Sequence, residues 1–154
     1  SDKGSVDKII GTIQDITERK MKENAIEENN ALLKTLIQSL RVGIIVENAN
    51  KEIILVNQKF CDYVHIPKPY YLIGTKLEQN SRNISNALKY PDDFIGRILD
   101  LYEIDKTVEK ELVEFSNGRL FERDFFPIKK KDIQYGYLWV YEEVICLKDM
   151  NIEK

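Results

Sequence analysis

Apolar residues recur along this chain in two different rhythms, and the change between them divides it. Ile26, Asn29, Leu33, Leu36 and Leu40 follow one another at spacings of three and four. That is the rhythm of a helix with one apolar stripe. No glycine or proline interrupts residues 17–40, so the spacing predicts a helix over that range. Its stripe is a heptad seam with one polar member, Asn29, and suits pairing with a second copy of the helix. The same stripe also suits an amphipathic helix lying on its own domain. Ahead of it, residues 6–16 are rich in isoleucine and carry Gly11 and the β-branched Thr12, which predicts a strand. Asp15 followed by Glu18 resembles a capping box and predicts that the helix begins there.

From Val42 the rhythm shortens. Gly43-Ile44-Ile45-Val46 and Ile53-Ile54-Leu55-Val56 flank the turn-forming Asn48-Ala49-Asn50-Lys51, so a β-hairpin is expected. Asn57 stands at a helix-capping position, with Phe60, Tyr63 and Val64 giving the helix an apolar side. Pro67 and Pro69 end it. Residues 74–90 lack periodicity and predict short helical turns. Pro91-Asp92-Asp93 opens another helix, with Phe94, Ile95, Ile98, Leu99 and Leu101 on or near its buried face. Residues 108–115, 120–128 and 135–145 read as three strands, the first two joined through Asn117-Gly118. The element order implies an α+β domain, an antiparallel sheet with its helices on one face. A ligand would then sit between the inner sheet face and the helices.

Composition narrows the function. At 154 residues, 43% hydrophobic and 32% charged, the chain suits one soluble globular domain with length to spare. A net charge of -3 offers no footprint for nucleic acid. The basic run Lys129-Lys130-Lys131 precedes Asp132 between two strands and reads as a solvated hairpin turn. Two isolated cysteines, Cys61 and Cys146, make no disulfide framework. No window is apolar enough to span a bilayer, and no signal-peptide pattern opens the sequence. A cytoplasmic location without membrane contact is therefore expected for this segment, whatever anchors its parent protein.

Enzymatic constellations are absent from the pattern. His65 is the single histidine, with no cysteine or second histidine spaced for zinc and no partner nominated for acid–base work. It reads as a surface or loop residue. No catalytic or metal-ligating residue is assigned. Phe121, Arg123 and Phe125 share one face of a strand, as do Trp139 and Tyr141 of the next. If that face is the inner one, Arg123 points inward and suits a carboxylate or phosphate ligand. The alternative pairs Arg123 with a neighbouring acid such as Glu114 at the rim. A core tightly filled with Phe, Leu and Ile, without a cavity, is also compatible with the pattern. The candidate pocket comprises Phe60, Phe94, Ile98, Phe121, Arg123, Phe125 and Trp139.

Several segments in this order resemble the PAS family. Gly43–Val46 with Ile54-Leu-Val-Asn57-Gln-Lys-Phe60-Cys61 is similar to the family's first hairpin and following helix. Leu72-Ile73-Gly74-Thr75-Lys76-Leu77, Tyr90-Pro-Asp-Asp-Phe94 and Glu114-Phe-Ser-Asn-Gly118-Arg119-Leu-Phe-Glu-Arg123 resemble later segments. Gly136-Tyr-Leu-Trp139-Val-Tyr141 resembles the final strand. The resemblance implies a five-stranded PAS domain over residues 41–145 and a linker helix over 17–40. Residues 146–154 would start a linker to the next domain. Gly11-Thr-Ile-Gln-Asp15-Ile16-Thr17 resembles the exit of a PAS domain, so residues 1–20 would be the tail of a preceding one.

The resemblance further implies a sensory or relay module that binds a small ligand or partner and drives an output domain. That output is most often a sensor histidine kinase, with a diguanylate cyclase as second choice. A ligand-free dimerisation and spacer module is the alternative. A homodimer along Ile26, Asn29, Leu33, Leu36 and Leu40 is expected, with neighbouring PAS and output domains as partners. Haem-binding relatives commonly take their iron ligand from the long helix, which here lacks His, Cys and Met. Photoreactive flavin relatives use an Asn-Cys-Arg motif, whereas Cys61 stands in Lys59-Phe60-Cys61-Asp62. Both cofactors are disfavoured, and the ligand is not identified. Where the family usually has Asp-Ile-Thr at the exit, this chain has Glu143-Val144-Ile145, with Asp149 as a later cap.

Overall fold

The computed structural model describes the backbone of residues 2–144 and the side chains of residues 13–144. It divides into two units, residues 1–39 and 40–154. The features expected at Ile145, Cys146 and Asp149, and the linker expected over 146–154, lie outside the described residues.

The first unit is one helix, α1, Asp2–Ser39. This corrects the strand expected over residues 6–16 and the helix start expected at Asp15. A lone strand would leave a row of backbone N–H and C=O groups unpaired, whereas a helix closes its hydrogen bonds internally. Glycines such as Gly11 each cost a helix about 1 kcal/mol relative to alanine, too little to stop one that no proline interrupts. Thr17 sits mid-helix and donates its hydroxyl to the carbonyl of Ile13 at 2.9 Å. Ile26, Asn29, Leu33 and Leu36 are exposed along α1. Leu40, the last member of the expected seam, falls just beyond the helix end at Ser39.

The second unit runs β1 Gly43–Asn48, β2 Ile53–Val56, α2 Gln58–Tyr63, α3 Ser81–Ile84, α4 Pro91–Ile104, β3 Val108–Glu114, β4 Leu120–Lys130 and β5 Ile133–Glu143. Short 3-10 turns occupy Pro69–Tyr71, Leu77–Asn80 and Ser85–Ala87. The five strands form one antiparallel sheet in the order β2-β1-β5-β4-β3. The expected α+β architecture is therefore observed.

Local chemistry accounts for the joints. Gly118, with φ +80°, takes the left-handed turn that closes β3 on β4, and Phe115 N–H donates to Arg119 O at 2.9 Å. Lys131 and Asp132 both adopt positive φ, as a two-residue type I′ hairpin requires. Pro91 occupies the first turn of α4, where a missing N–H costs nothing, and Asp92 and Asp93 lie beside the positive end of the helix dipole.

Asn57 joins α2 to the sheet. Its Oδ1 accepts from Phe60 N–H at 3.1 Å as the helix cap and from Ile44 N–H at 2.9 Å. Its Nδ2 donates to Val42 O at 2.7 Å. Because the side chain is fully buried, Asn57→Ala strands two backbone N–H groups and one carbonyl. We expect a loss of about 2 kcal/mol, read as a lower urea midpoint with an unchanged slope. A midpoint within error of wild type would mean that water replaces all three bonds.

Candidate functional site

Residues opposite one another on neighbouring strands share a face, so the pairings assign the inner face row by row. One row is apolar: Val108, Phe125, Trp139 and Ile45. The next is polar: Glu111 on β3, Arg123 on β4 and Tyr141 on β5. On the other side of the apolar row, Tyr137 stands against Glu47. The inner face therefore carries two polar stations separated by aromatic packing.

Of the candidate pocket residues, Phe60, Phe121, Phe125 and Trp139 are wholly buried, and Phe94 and Ile98 nearly so. They pack on one another and on Tyr141. Phe125 and Trp139 ring centroids are 4.5 Å apart, Phe60 and Tyr141 5.3 Å, and Phe94 and Tyr141 6.3 Å. Arg123 is also inside, at 2% exposure. Its acid is Glu111, at 2.5 Å from Nη2, and not Glu114. Register explains the correction, because Glu111 lies directly opposite Arg123 while Glu114 lies opposite Leu120. Glu114 instead pairs with Lys89 at 2.9 Å. Glu111 serves two arginines, since Arg97 of α4 grips both of its oxygens at 2.9 Å. The guanidinium groups hold the Glu111 carboxyl below the usual carboxylate range.

A cavity of about 200 Å³ opens beside this polar row. Leu88, Phe94, Arg97, Glu111, Val113 and Arg123 are among its lining residues, so it lies between α4, β3 and β4. Of the candidate pocket residues only Phe94 and Arg123 line it. Nε and Nη1 of Arg123 are shut off from solvent, as is the hydroxyl of Tyr141, which lies close enough to the guanidinium to interact with it. The nearby Arg123 charge favours Tyr141 ionisation, but complete burial outweighs it and raises that pKa. Arg123 also stands over the Phe94 ring, 5.4 Å from its centroid. A second cavity, of about 380 Å³, is lined by His65, Ile66, Pro67, Tyr71, Leu72, Asn80 and Asn83. Its buried amide is already engaged, because Asn80 Nδ2 donates to Thr75 Oγ1 at 2.7 Å and Lys76 O at 2.8 Å.

The second polar station centres on Glu47, which is 0% exposed. Tyr102 Oη donates to it at 2.6 Å, and Trp139 Nε1 donates to its other oxygen. Burial pushes its pKa up to about 7, although both donors and Lys51 pull the other way. The sequence reading missed Glu47, Glu111 and Tyr102. The signal for Glu47 was present, because Gly43, Ile45 and Glu47 alternate onto the same face. No comparable signal placed Tyr102 on that carboxylate.

At the exit of β5, Glu143 takes the Arg119 fork at 2.8 and 2.6 Å. The last described strand is thereby tied to the β3–β4 turn. Cys61 is buried, and burial pushes its thiol up to about 11, so little thiolate exists at neutral pH. His65 is exposed with φ +62°. Among the described residues, no group of three or more His, Cys, Asp or Glu is placed to hold a metal ion, and no helix is long and apolar enough to cross a membrane.

No family model matches the sequence, and no curated protein matches it. Solved structures do. A PAS domain of an HTR-like protein from Haloarcula marismortui is 20% identical with a TM-score of 0.55, and the match covers 81% of this chain and 99% of that one. The fold is that of a PAS domain. A PAS domain from a two-component sensor histidine kinase aligns at 13% identity and a TM-score of 0.53, covering 77% of this chain and 98% of that one. The PAS domain of Bordetella pertussis BvgS aligns at 12% identity and 0.52, covering 81% and 93%. Within this fold the Arg123 station faces α4 and β3, and the Glu47 station joins the start of the sheet to β5.

Proposed function

We propose that this PAS domain is a sensory or relay module in a cytoplasmic signalling protein. A small ligand between the inner sheet face and α4 would shift the balance between two arrangements of the flanking segments. The observation that carries the reading is a cavity of about 200 Å³ between α4, β3 and β4 that has the buried Arg123 and its partner Glu111 among its lining residues. A concave site lined by apolar side chains with a few polar groups is the usual setting for a small ligand. A ligand moves the equilibrium only by the difference in its affinity for the two arrangements. A histidine kinase is the favoured output domain, and a diguanylate cyclase the second. Residues 1–20 we assign to the exit of a preceding domain.

Native mass spectrometry of freshly purified protein, compared with its denatured mass, tests the sensory reading. An excess mass that leaves on denaturation is expected. Its absence, together with a filled and rigid cavity by NMR, would favour a ligand-free dimerisation and spacer module.

The exposed Ile26, Leu33 and Leu36 support a homodimer through α1. Charges placed in such a seam desolvate on pairing and oppose it. The double variant Leu33→Lys, Leu36→Lys is expected to sediment as a monomer where the parent chain sediments as a dimer. A double variant that stays dimeric would remove α1 from the interface.

A further inference from the structure

We propose that the Glu47 station is a proton-operated latch: the protonated carboxyl holds the last turn of α4 closed on the sheet, and its ionisation lets that turn open. The stimulus is then the proton itself. The latch goes beyond the ligand reading and needs no ligand.

Geometry suits Glu47 to this task. Its side chain is fully buried and joins three elements. It stands on β1 and takes hydrogen bonds from Tyr102 of α4 and Trp139 of β5. Both donors are neutral. Among the described residues, every ion pair joins other groups. A carboxylate buried without a paired cation is costly, and a proton removes the charge.

The titratable and charged neighbours agree. Asp105, at the end of α4, is engaged by Lys129 of β4. Tyr137 and Tyr141 of β5 are neutral near pH 7, because burial raises both pKa values. Glu78, in a 3-10 turn, opposes a second negative charge. Lys51, in the β1–β2 turn, favours ionisation, and its ammonium lies over the Tyr102 ring, 4.8 Å from the centroid. Burial outweighs it, which puts the titration at about 7.

The weak side of the station is α4. β1 and β5 pair continuously from Gly43 to Asn48, and the Glu47 backbone packs on Gly136. The end of α4 is looser, with Ile104 exposed and Asp105 in a left-handed conformation that disfavours a residue with a Cβ. Helix ends open before strands held on both sides. An open turn admits water and returns the carboxyl from about 7 to its ordinary 4.5. That difference favours opening about 10-fold more at pH 8 than at pH 6.

NMR of the full chain from pH 5.5 to 8.5 tests the latch through the indole N–H of Trp139, the single tryptophan, and through amide exchange. The indole resonance is expected to titrate with a midpoint near 7. Amides of residues 102–105 should be less protected than the slowest sheet amides. Their protection, corrected for intrinsic rate, should fall about 10-fold from pH 6 to 8. Glu47→Gln should abolish both pH dependences. Lys51→Met should raise the indole midpoint by about half a unit, and it serves where Glu47→Gln does not fold. An indole that does not titrate overturns the latch, as does unchanged pH dependence in Glu47→Gln or a midpoint that does not rise in Lys51→Met. So does protection of residues 102–105 equal to that of the slowest sheet amides, because the carboxyl would then meet water only on global unfolding. The native mass comparison decides the ligand reading separately, so the two can fail independently.

Discussion

Replacing Gly136 with alanine is expected to cost about 3 kcal/mol or more and to loosen β1 from β5. Gly136 lies opposite Asn48 on β1 and Ile128 on β4, in the middle of the sheet. A Cβ built on it would overlap the carbonyl oxygen of Glu47, far inside van der Waals contact, and lie 3.2 Å from the carbonyl carbon. Both obstacles are backbone, so no side chain can swing aside. Relief requires strand separation, which sacrifices ladder hydrogen bonds and disturbs the buried Glu47 side chain just across from Tyr137. Overpacking in a close-packed interior ordinarily costs about 1–3 kcal/mol, and this site stands at the upper end because of the backbone contact. Urea unfolding followed by Trp139 fluorescence measures it. An alanine variant within about 0.5 kcal/mol of wild type would show that the two strands separate here at little cost. Gly96, whose added Cβ meets nothing, is the control, since Gly96→Ala in α4 should stabilise by several tenths of a kcal/mol.

Stability should fall as pH rises from about 5 to 8, through Glu47. Its pKa is raised from 4.5 to about 7 in the folded chain, so folding binds a proton within that window. The stabilising contribution is complete below the unfolded value and is lost as pH passes the folded one. A shift of that size corresponds to on the order of 3 kcal/mol. The groups around the carboxyl are Tyr102 of α4, Trp139 and Tyr137 of β5, Lys51 in the β1–β2 turn and Glu78 in a 3-10 turn. The neutral acid suits this setting. One oxygen accepts from Trp139, and the acid proton can go to Tyr102, whose hydroxyl both donates and accepts.

Glu47→Gln preserves that pattern without titrating. It should therefore flatten the slope between pH 5 and 8 and be more stable than wild type at pH 8. Glu111 and Glu143 act in the opposite sense. Their arginine partners lower their pKa values, so their contribution is lost only as pH falls below the ordinary carboxylate range. The comparison is accordingly made at pH 5 and above. Equal slopes for wild type and Glu47→Gln would assign the pH dependence elsewhere.

Much of the second unit was legible because its signals are local. Asn-Gly at 117–118, Pro91 before two acids and Asn57 ahead of an apolar helix face each specify a joint by their own chemistry. Alternation brought Phe121, Arg123 and Phe125 together on the buried face. What alternation does not contain is cross-strand register. Arg123 meets Glu111 because an irregularity between Val108 and Glu111 sets how β3 lies against β4. No spacing within either strand states that pairing. Tyr102 and Glu47 are 55 positions apart, and only the closed fold makes them neighbours. The first unit failed for another reason. Isoleucine-rich residues 6–16 carry strand propensity, but propensity is a weak prior, and the segment satisfies its backbone hydrogen bonds internally as helix.

The strand order has a consequence for how the molecule comes into being. β5 lies between β1 and β4, yet it is the last strand to leave the ribosome. Until residues 133–143 emerge, the domain is two separate hairpins, β1–β2 and β3–β4, each with an open edge and an uncovered apolar face. Neither Trp139 nor Tyr141, the two largest fully buried side chains, is yet available to fill the space between them. The domain cannot condense gradually from its N-terminus; it must wait and then close in one late step. A translation pause or truncation anywhere before β5 thus yields a sticky intermediate rather than a smaller stable fold. Residues 40–132 are the stretch that a nascent-chain chaperone would have to shelter.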